Sequence, residues 1–280
     1  MPGKVSDIMS TELITVKVPS SIEDAIRIIM QHNVTGVPVV DSSGKYQGML
    51  SRKDIFQSPN DDQTAMVMRK SKALSENTTI KEAALELTRY GRRHIAVTDS
   101  ENKVVGILTP QNFLDEIGKH YGDVPVSRFI TKKTVPVWEG TPISVVHYTT
   151  QLTELYAFPV VNSDGDFVGI VTDRDLFNKV DFKVETILSD TGIADDEDPW
   201  TWGGIRNFVT YLIRKNNLVL PDIPASEVMI REPATIYLHD TIGEATKTMK
   251  ERNFNQLPVL EGHNRIAGML YDINLLEVFA

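Results

Sequence analysis

Four short apolar segments recur in this chain, each the same distance ahead of a glycine. They are Val37-Pro38-Val39-Val40, Ile95-Ala96-Val97-Thr98, Phe158-Pro159-Val160-Val161 and Leu257-Pro258-Val259-Leu260. From Pro38 to Gly48 is 10 positions, as it is from Ala96 to Gly106, from Pro159 to Gly169 and from Pro258 to Gly268. Chance does not produce equal spacing at four places. The chain is a repeat protein, and each unit must bury its apolar face against a neighbour.

Every unit reads alike. A short strand leads, around Ile14-Thr15-Val16, Ala73-Leu74, Val135-Pro136-Val137 or Thr235-Ile236-Tyr237. An amphipathic helix follows, carrying Ile22, Ala25, Ile26, Ile29 and Met30 on one stripe, repeated by Ile80, Ala83, Ala84 and Leu87 and by Ile242, Ala245 and Met249. The third helix, with Ile143, Val146 and His147, is less regular. Two strands joined by Asp/Asn-Ser-Gly turns come next, then a closing helix. The class is α/β, four copies of β-α-β-β-α. A unit of about 55 residues is marginal alone, so pairing is expected.

The glycine steps are 58, 63 and 99 residues (48 to 106, 106 to 169, 169 to 268), so the last holds an insertion, 179–224. It contains the acidic run Asp195-Asp196-Glu197-Asp198, then Trp200 and Trp202, then a stripe of Ile205, Phe208, Val209, Leu212 and Ile213 that predicts a helix. Tyr121-Gly122-Asp123-Val124-Pro125 reads as a linker. It divides the chain into 1–122, with repeats near 4–57 and 64–118, and 123–280, with repeats near 124–178 and 225–280.

The segments Gly48-Met49-Leu50-Ser51-Arg52-Lys53-Asp54 and Gly169-Ile170-Val171-Thr172-Asp173-Arg174-Asp175 carry Gly-apolar-x-Ser/Thr-x-x-Asp. With the opening Asp7-Ile8-Met9 and the Val-Pro-Val-Val run, this resembles the CBS domain, named after cystathionine β-synthase, over nearly the whole chain outside 179–224. The resemblance implies two Bateman modules in a disc-like arrangement. It also implies regulation of a partner protein through AMP, ADP or ATP, or through S-adenosylmethionine or a related thioether.

The motif has its own chemistry. A hydroxyl residue opening a helix, with the dipole behind it, suits a phosphate, and a carboxylate one turn on can accept from a ribose diol. The same pattern is close to a capping box, so capping is the rival explanation of each occurrence, and the four-fold register tips the balance to binding. Thr109 and Asn112 keep the cap without the acid, and Tyr271-Asp272-Ile273-Asn274 loses hydroxyl and acid alike. One competent site per module is expected. By the resemblance the first is formed by Ile14, Thr35, Gly36, Pro38, Ser51, Lys53 and Asp54, with Thr109 and Asn112. The resemblance also puts Arg93 and His94 across the paired cleft, where they would neutralise a phosphate, with a solvated basic turn as the rival explanation. The second takes Val135, Tyr156, Ala157, Pro159, Thr172, Arg174 and Asp175. There Asn255 and Gln256 replace the basic pair, Lys132, Lys133 and Arg174 are the cations at hand, and a thioether ligand is open.

Lys plus Arg is 29 and Asp plus Glu is 38, a formal charge of −9, which disfavours nucleic acid. The absence of cysteine excludes disulfides, thiolate zinc sites and cysteine nucleophiles. There is no phosphate-binding loop, nucleophile elbow or metalloprotease motif, and the six histidines are scattered without metal-ligand spacing. No metal and no catalytic cofactor is expected, and the chain reads as non-enzymatic. No run approaches a membrane span and the N-terminus lacks a signal peptide's apolar core, so the expectation is a cytoplasmic protein, with a homodimer open. The remaining alternative is an interaction scaffold with vestigial sites, using Trp200 and Trp202 as its contact.

Overall fold

In the first repeat Val16–Lys17 (β1), Ile22–Gln31 (α1), Gly36–Val40 (β2), Tyr46–Ser51 (β3) and Arg52–Gln57 (α2) follow in order. The structure is a computed structural model describing residues 3–58, 61–89, 91, 93–131, 134–153, 155–179, 181–189, 211–262 and 264–279, with backbone only at 181–189 and 211–219. Ser21 starts α1 by accepting from the Asp24 amide at 3.1 Å, and the predicted stripe Ile22, Ala25, Ile26 and Ile29 is the buried face. β1 pairs parallel with β2, and β2 antiparallel with β3.

The plan recurs. After the short helix Thr64–Val67 (α3), the second repeat has Leu74–Ser75 (β4), Ile80–Arg89 (α4), Ile95–Thr98 (β5), Val104–Leu108 (β6) and Leu114–Tyr121 (α5). The third has Val137–Trp138 (β7), Ile143–Thr153 (α6), Ala157–Val161 (β8), Phe167–Thr172 (β9) and Asp173–Phe177 (α7). Asp181–Ser189 (β10), Tyr211–Val219 (β11) and Ile230–Arg231 (β12) precede the fourth, which has Ile236–Tyr237 (β13), Ile242–Arg252 (α8), Gln256–Leu260 (β14), Ile266–Tyr271 (β15) and Asp272–Leu275 (α9). The leading strands lie one or two residues later than the sequence suggested. The stripe of α6 is indistinct because Ile143 and Val146 are buried while Val145, Tyr148 and Leu152 are exposed.

Repeats pair by exchanging their leading segments. Ser10, ahead of the first repeat, bridges Ile107 in β6, and Arg69, ahead of the second, bridges Met49 in β3. Thr131 bridges Met269 in β15, and β12 pairs with β9 at Ile230↔Ile170. The motif glycines make these exchanges possible. A Cβ on Gly48 would stand 2.7 Å from the Arg69 carbonyl oxygen, and one on Gly169 2.7 Å from that of Ile230.

A second set of contacts runs between pairs. One core joins the second and fourth repeats through Ile80, Leu87, Ile117, Ile242, Met249 and Leu275; another joins the first and third through Ile26, Ile55, Phe56, Val146, Leu176 and Phe177. Gly122, read from sequence as linker, accepts from the Gly243 amide at 2.9 Å where α5 meets α8. Each repeat thus exchanges a leading segment with one neighbour and shares a core with another, which closes the four units into a disc.

The insertion departs from expectation. Leu212 and Ile213, assigned to a helix, lie in β11, paired antiparallel with β10 from Asp181↔Val219 to Ser189↔Tyr211. In β10 the alternation Phe182, Val184, Thr186, Leu188 carries the strand period of two. Asp195–Asp198, Trp200, Trp202, Ile205, Phe208 and Val209 lie outside the described residues.

Candidate functional site

Each repeat turns from its last strand into its closing helix through one cap. Ser51 donates from N and Oγ to Asp54 Oδ2 at 2.8 and 2.5 Å; Thr172 does the same to Asp175 Oδ2 at 2.8 and 2.7 Å. Thr109 donates to Asn112 Oδ1 at 2.8 and 2.9 Å, and the Tyr271 amide to Asn274 Oδ1 at 3.3 Å. The capping function is therefore realised in all four repeats, with carboxylate or amide alike. The helices behind Ser51 and Thr172 have only six and five residues, too short to build the dipole invoked for phosphate binding.

A cavity of about 110 Å³ opens beside the first of these caps. The first repeat contributes Thr35, Ser51, Lys53 and Phe56, the second Arg93 and His94, and Arg69 comes from the segment between them. The third repeat closes it with His147, Gln151, Tyr156 and Asp173. Lys53, Arg69 and Arg93 line it together with one carboxylate, Asp173, and Arg93 is paired from behind with Asp272.

Other expected residues stay outside this lining. Asp54 is only 9% exposed, Gly36 and Pro38 are buried in β2, and Ile14 packs on the core. Asn112 is spent on the fold, donating to the Ile8 carbonyl at 2.9 Å and to Ser10 Oγ at 3.1 Å, with Thr109 as its cap partner. In the second set Val135 packs on the core, Ala157 and Pro159 lie buried in β8, Thr172 is buried, and Arg174 and Asp175 are partly exposed. Of that set the cavity receives Tyr156. Lys132 and Lys133 lie outside the described residues, as does Arg92.

His94 corrects one expectation. Burial, with Arg93, Arg69 and Arg52 nearby, pushes its pKa down to about 3, so it is neutral and cannot serve as a cation. Its Nε2 lies 2.7 Å from Thr35 Oγ1, and its ring fills the space where a Cβ on Gly36 would stand. Arg93 is also differently placed. Its guanidinium lies 4.1 Å from the centre of the Tyr156 ring and 3.4 Å from both oxygens of Asp272. It lines the cavity while anchored to the third and fourth repeats.

Three central residues, Arg52, Asp173 and Asp272, stand in the motif segments but carry no role in the sequence pattern. Arg52, 1% exposed, lies 5.4 Å over the Phe177 ring, and Asp272 is fully buried, accepting from Gln111 Nε2 at 3.3 Å and the Ile273 amide at 2.8 Å. Burial raises the pKa of Asp272 and of Asp173, against the pull of Arg93 and, for Asp173, Arg52 as well. Arg52, Asp173 and Asp272 share one register position, directly after the cap residue, with Pro110 in the second repeat. That shared position was the available signal. Among the described residues no group of acidic and histidine side chains could hold a metal ion, and no helix is long and apolar enough to cross a membrane.

The CBS domain family matches this chain at residues 5–60, 65–119, 126–181 and 225–280. An uncharacterized protein of Methanocaldococcus jannaschii, MJ1404, is 22% identical over 99% of the chain, which spans 62% of that relative's length. The crystal structure of an uncharacterized conserved protein from Pyrococcus horikoshii is 27% identical, with a TM-score of 0.65, covering 99% of this chain and 100% of that one. Protein MJ1225 from M. jannaschii, proposed as an archaeal homologue of γ-AMPK, shares the fold at a TM-score of 0.78 and 18% identity, covering 99% and 100%.

Proposed function

The chain belongs to the CBS domain family, and on that premise we propose that it is a cytoplasmic, non-enzymatic sensor of AMP, ADP or ATP that signals to a protein partner by changing shape. Its two pairs of repeats act as Bateman modules, 1–122 and 123–280. The observation that carries the reading is the cavity in which Thr35, Ser51 and Lys53 of the first repeat meet Arg69 and, from the second repeat, Arg93, so that cationic and hydroxyl side chains converge on one space. A phosphate complements those side chains, and the sugar falls to the adjoining cap, where Asp54 Oδ1 is the carboxylate oxygen left over from capping. In the second module Thr172 and Asp175 take the same roles. A sulfonium such as S-adenosylmethionine is a poor match for three cations in the first module, whereas a neutral thioether or S-adenosylmethionine suits the second.

Thermal melts with AMP, ADP, ATP and S-adenosylmethionine test this. A ligand at 100 times its dissociation constant adds about 2.7 kcal/mol to the folded state. No rise with any of the four sinks the reading and leaves the scaffold alternative. A rise with S-adenosylmethionine alone replaces the nucleotide.

A further inference from the structure

Helix α6 differs from its three counterparts on its outer side. Val145, Tyr148 and Leu152 follow one another at single-turn steps along it and are 49%, 59% and 68% exposed. Ile22, Ile80, Ile143 and Ile242 open the four helices and fix their common register. In that register α1 carries Asp24, Arg27 and Gln31, and α4 carries Glu82, Leu85 and Arg89. In α8 the positions hold Glu244, Lys247 and Glu251, all exposed. Three copies of the helix thus turn charge to water where α6 turns apolar surface. Among its 11 residues α6 has no Lys, Arg, Asp or Glu. Exposed apolar surface gathered into one stripe marks a contact face.

The fold also leaves room beside this stripe. In the second repeat the closing segment is helical from Pro110 to Tyr121, and its α5 lies along α8. A Cβ on Gly118 would stand 2.7 Å from Thr246 Oγ1, and Asp115 pairs with Lys250. In the first repeat the closing helix α2 ends at Gln57 after six residues. It reaches α6 through Phe56, whose ring lies 4.5 Å from that of His147. Past Gln57 the chain heads for α1, where the Asp62 carbonyl accepts from the Ile22 amide at 2.8 Å and Gln63 bridges Ser21. The place that the end of α5 takes on α8 is therefore not taken by the first repeat on α6.

We propose that a second copy of this chain fills that place with its own α6, the two helices packing antiparallel about a two-fold axis at Tyr148. Such an axis sets Tyr148 against Tyr148 of the partner subunit and Val145 against Leu152 of the partner subunit. Charge selects the occupant. Two copies of a chain with a formal charge of −9 repel each other, and α6 is a face on which they meet without opposing like charges. The same pairing of α8 would set lysine on lysine at 247, and Glu244 on Glu251. Three apolar side chains are a small anchor, so the dimer is of the weak, reversible kind. The disc is complete within one chain; this contact joins disc to disc and needs no ligand.

Sedimentation equilibrium of the full chain, from low to high micromolar concentration, tests it. The wild type is expected to pass from monomer to dimer. Val145→Glu, Tyr148→Lys and Leu152→Glu together give α6 the residues of α8 and oppose like charges along the whole pair. They are expected to weaken the dimer roughly a hundred-fold or more. Tyr148→Lys alone, expected to weaken it roughly ten-fold, reads the same contact if the triple variant does not fold. The chain has no cysteine, so Tyr148→Cys puts a single thiol at the axis. Under a mild oxidant it is expected to join two copies at least about ten-fold faster than Lys247→Cys on α8. A wild-type chain that stays monomeric at every concentration overturns the proposal, whatever else covers α6. A dimer that both charged variants leave intact, or equal cross-linking from the two helices, overturns it as well.

Discussion

Arg93 and Asp272 stand 179 positions apart in the chain, and both carboxylate oxygens of Asp272 lie 3.4 Å from Arg93 Nη2. The pair ties the second repeat to the fourth at the centre of the disc, with Tyr156 of the third stacked against the guanidinium. Removing one partner strands a charge that has almost no water. Arg93→Ala is expected to destabilise the chain by about 3 kcal/mol in urea unfolding, and Arg93→Met with Asp272→Leu to recover most of it. A double variant no more stable than Arg93→Ala would show that the ion pair is not the cause.

The four caps separate structure from binding. Asn112 and Asn274 cap their helices with an amide, so the fold does not need a carboxylate there. Asp54→Asn is therefore expected to change unfolding free energy by less than about 0.5 kcal/mol and to abolish the nucleotide-induced rise in Tm. Asp54→Ala loses the cap as well and is expected to cost about 1 kcal/mol without ligand. Equal losses in both variants would reduce Asp54 to a structural residue.

Acid should weaken the protein through His94. Unfolded, it takes up a proton near pH 6.5; folded, only near 3. Between those values the unfolded chain binds more protons, so the His94 contribution is complete above about pH 6.5 and drains as pH falls, at up to about 1.4 kcal/mol per pH unit. Burial raises the pKa of Asp173, Asp175 and Asp272, which pulls the other way lower in the acid range. His94→Gln is expected to flatten the stability profile from pH 6.5 to 5 in urea titrations. A profile as steep as wild type would assign the slope elsewhere.

Two motif glycines predict unequal costs. A Cβ on Gly48 meets a backbone oxygen of Arg69, whereas a Cβ on Gly106 meets the flexible side chain of Met9. Gly48→Ala is expected to lose about 2–3 kcal/mol, and Gly106→Ala about 1 or less, in denaturant unfolding. The reverse order would mean that the exchanged segments are looser than their hydrogen bonds imply.

The repeat was legible because its periodicity and its glycine spacing are local and recur four times. The amphipathic stripes of α1, α4 and α8 were legible for the same reason. The centre of the disc was not, because it depends on which repeat faces which. Arg93 and His94 were found, but Arg93 is held by Asp272 and His94 is stripped of its proton, both through neighbours far away in sequence. His147 was noticed only as part of a weak stripe. The strand Tyr211–Val219 was lost to two residues, Leu212 and Ile213, that fit a helical stripe as well as they fit a strand.

The exchanged leading segments have a consequence for vectorial synthesis. Ser10 docks on Ile107, and 107 − 10 leaves 97 residues to be translated before that partner exists. The nascent chain thus emerges with its first strand edge waiting, and no single repeat can finish its own sheet on the ribosome. Folding should advance in two steps, one as each pair is released, and truncation after any odd repeat should leave an aggregation-prone stub.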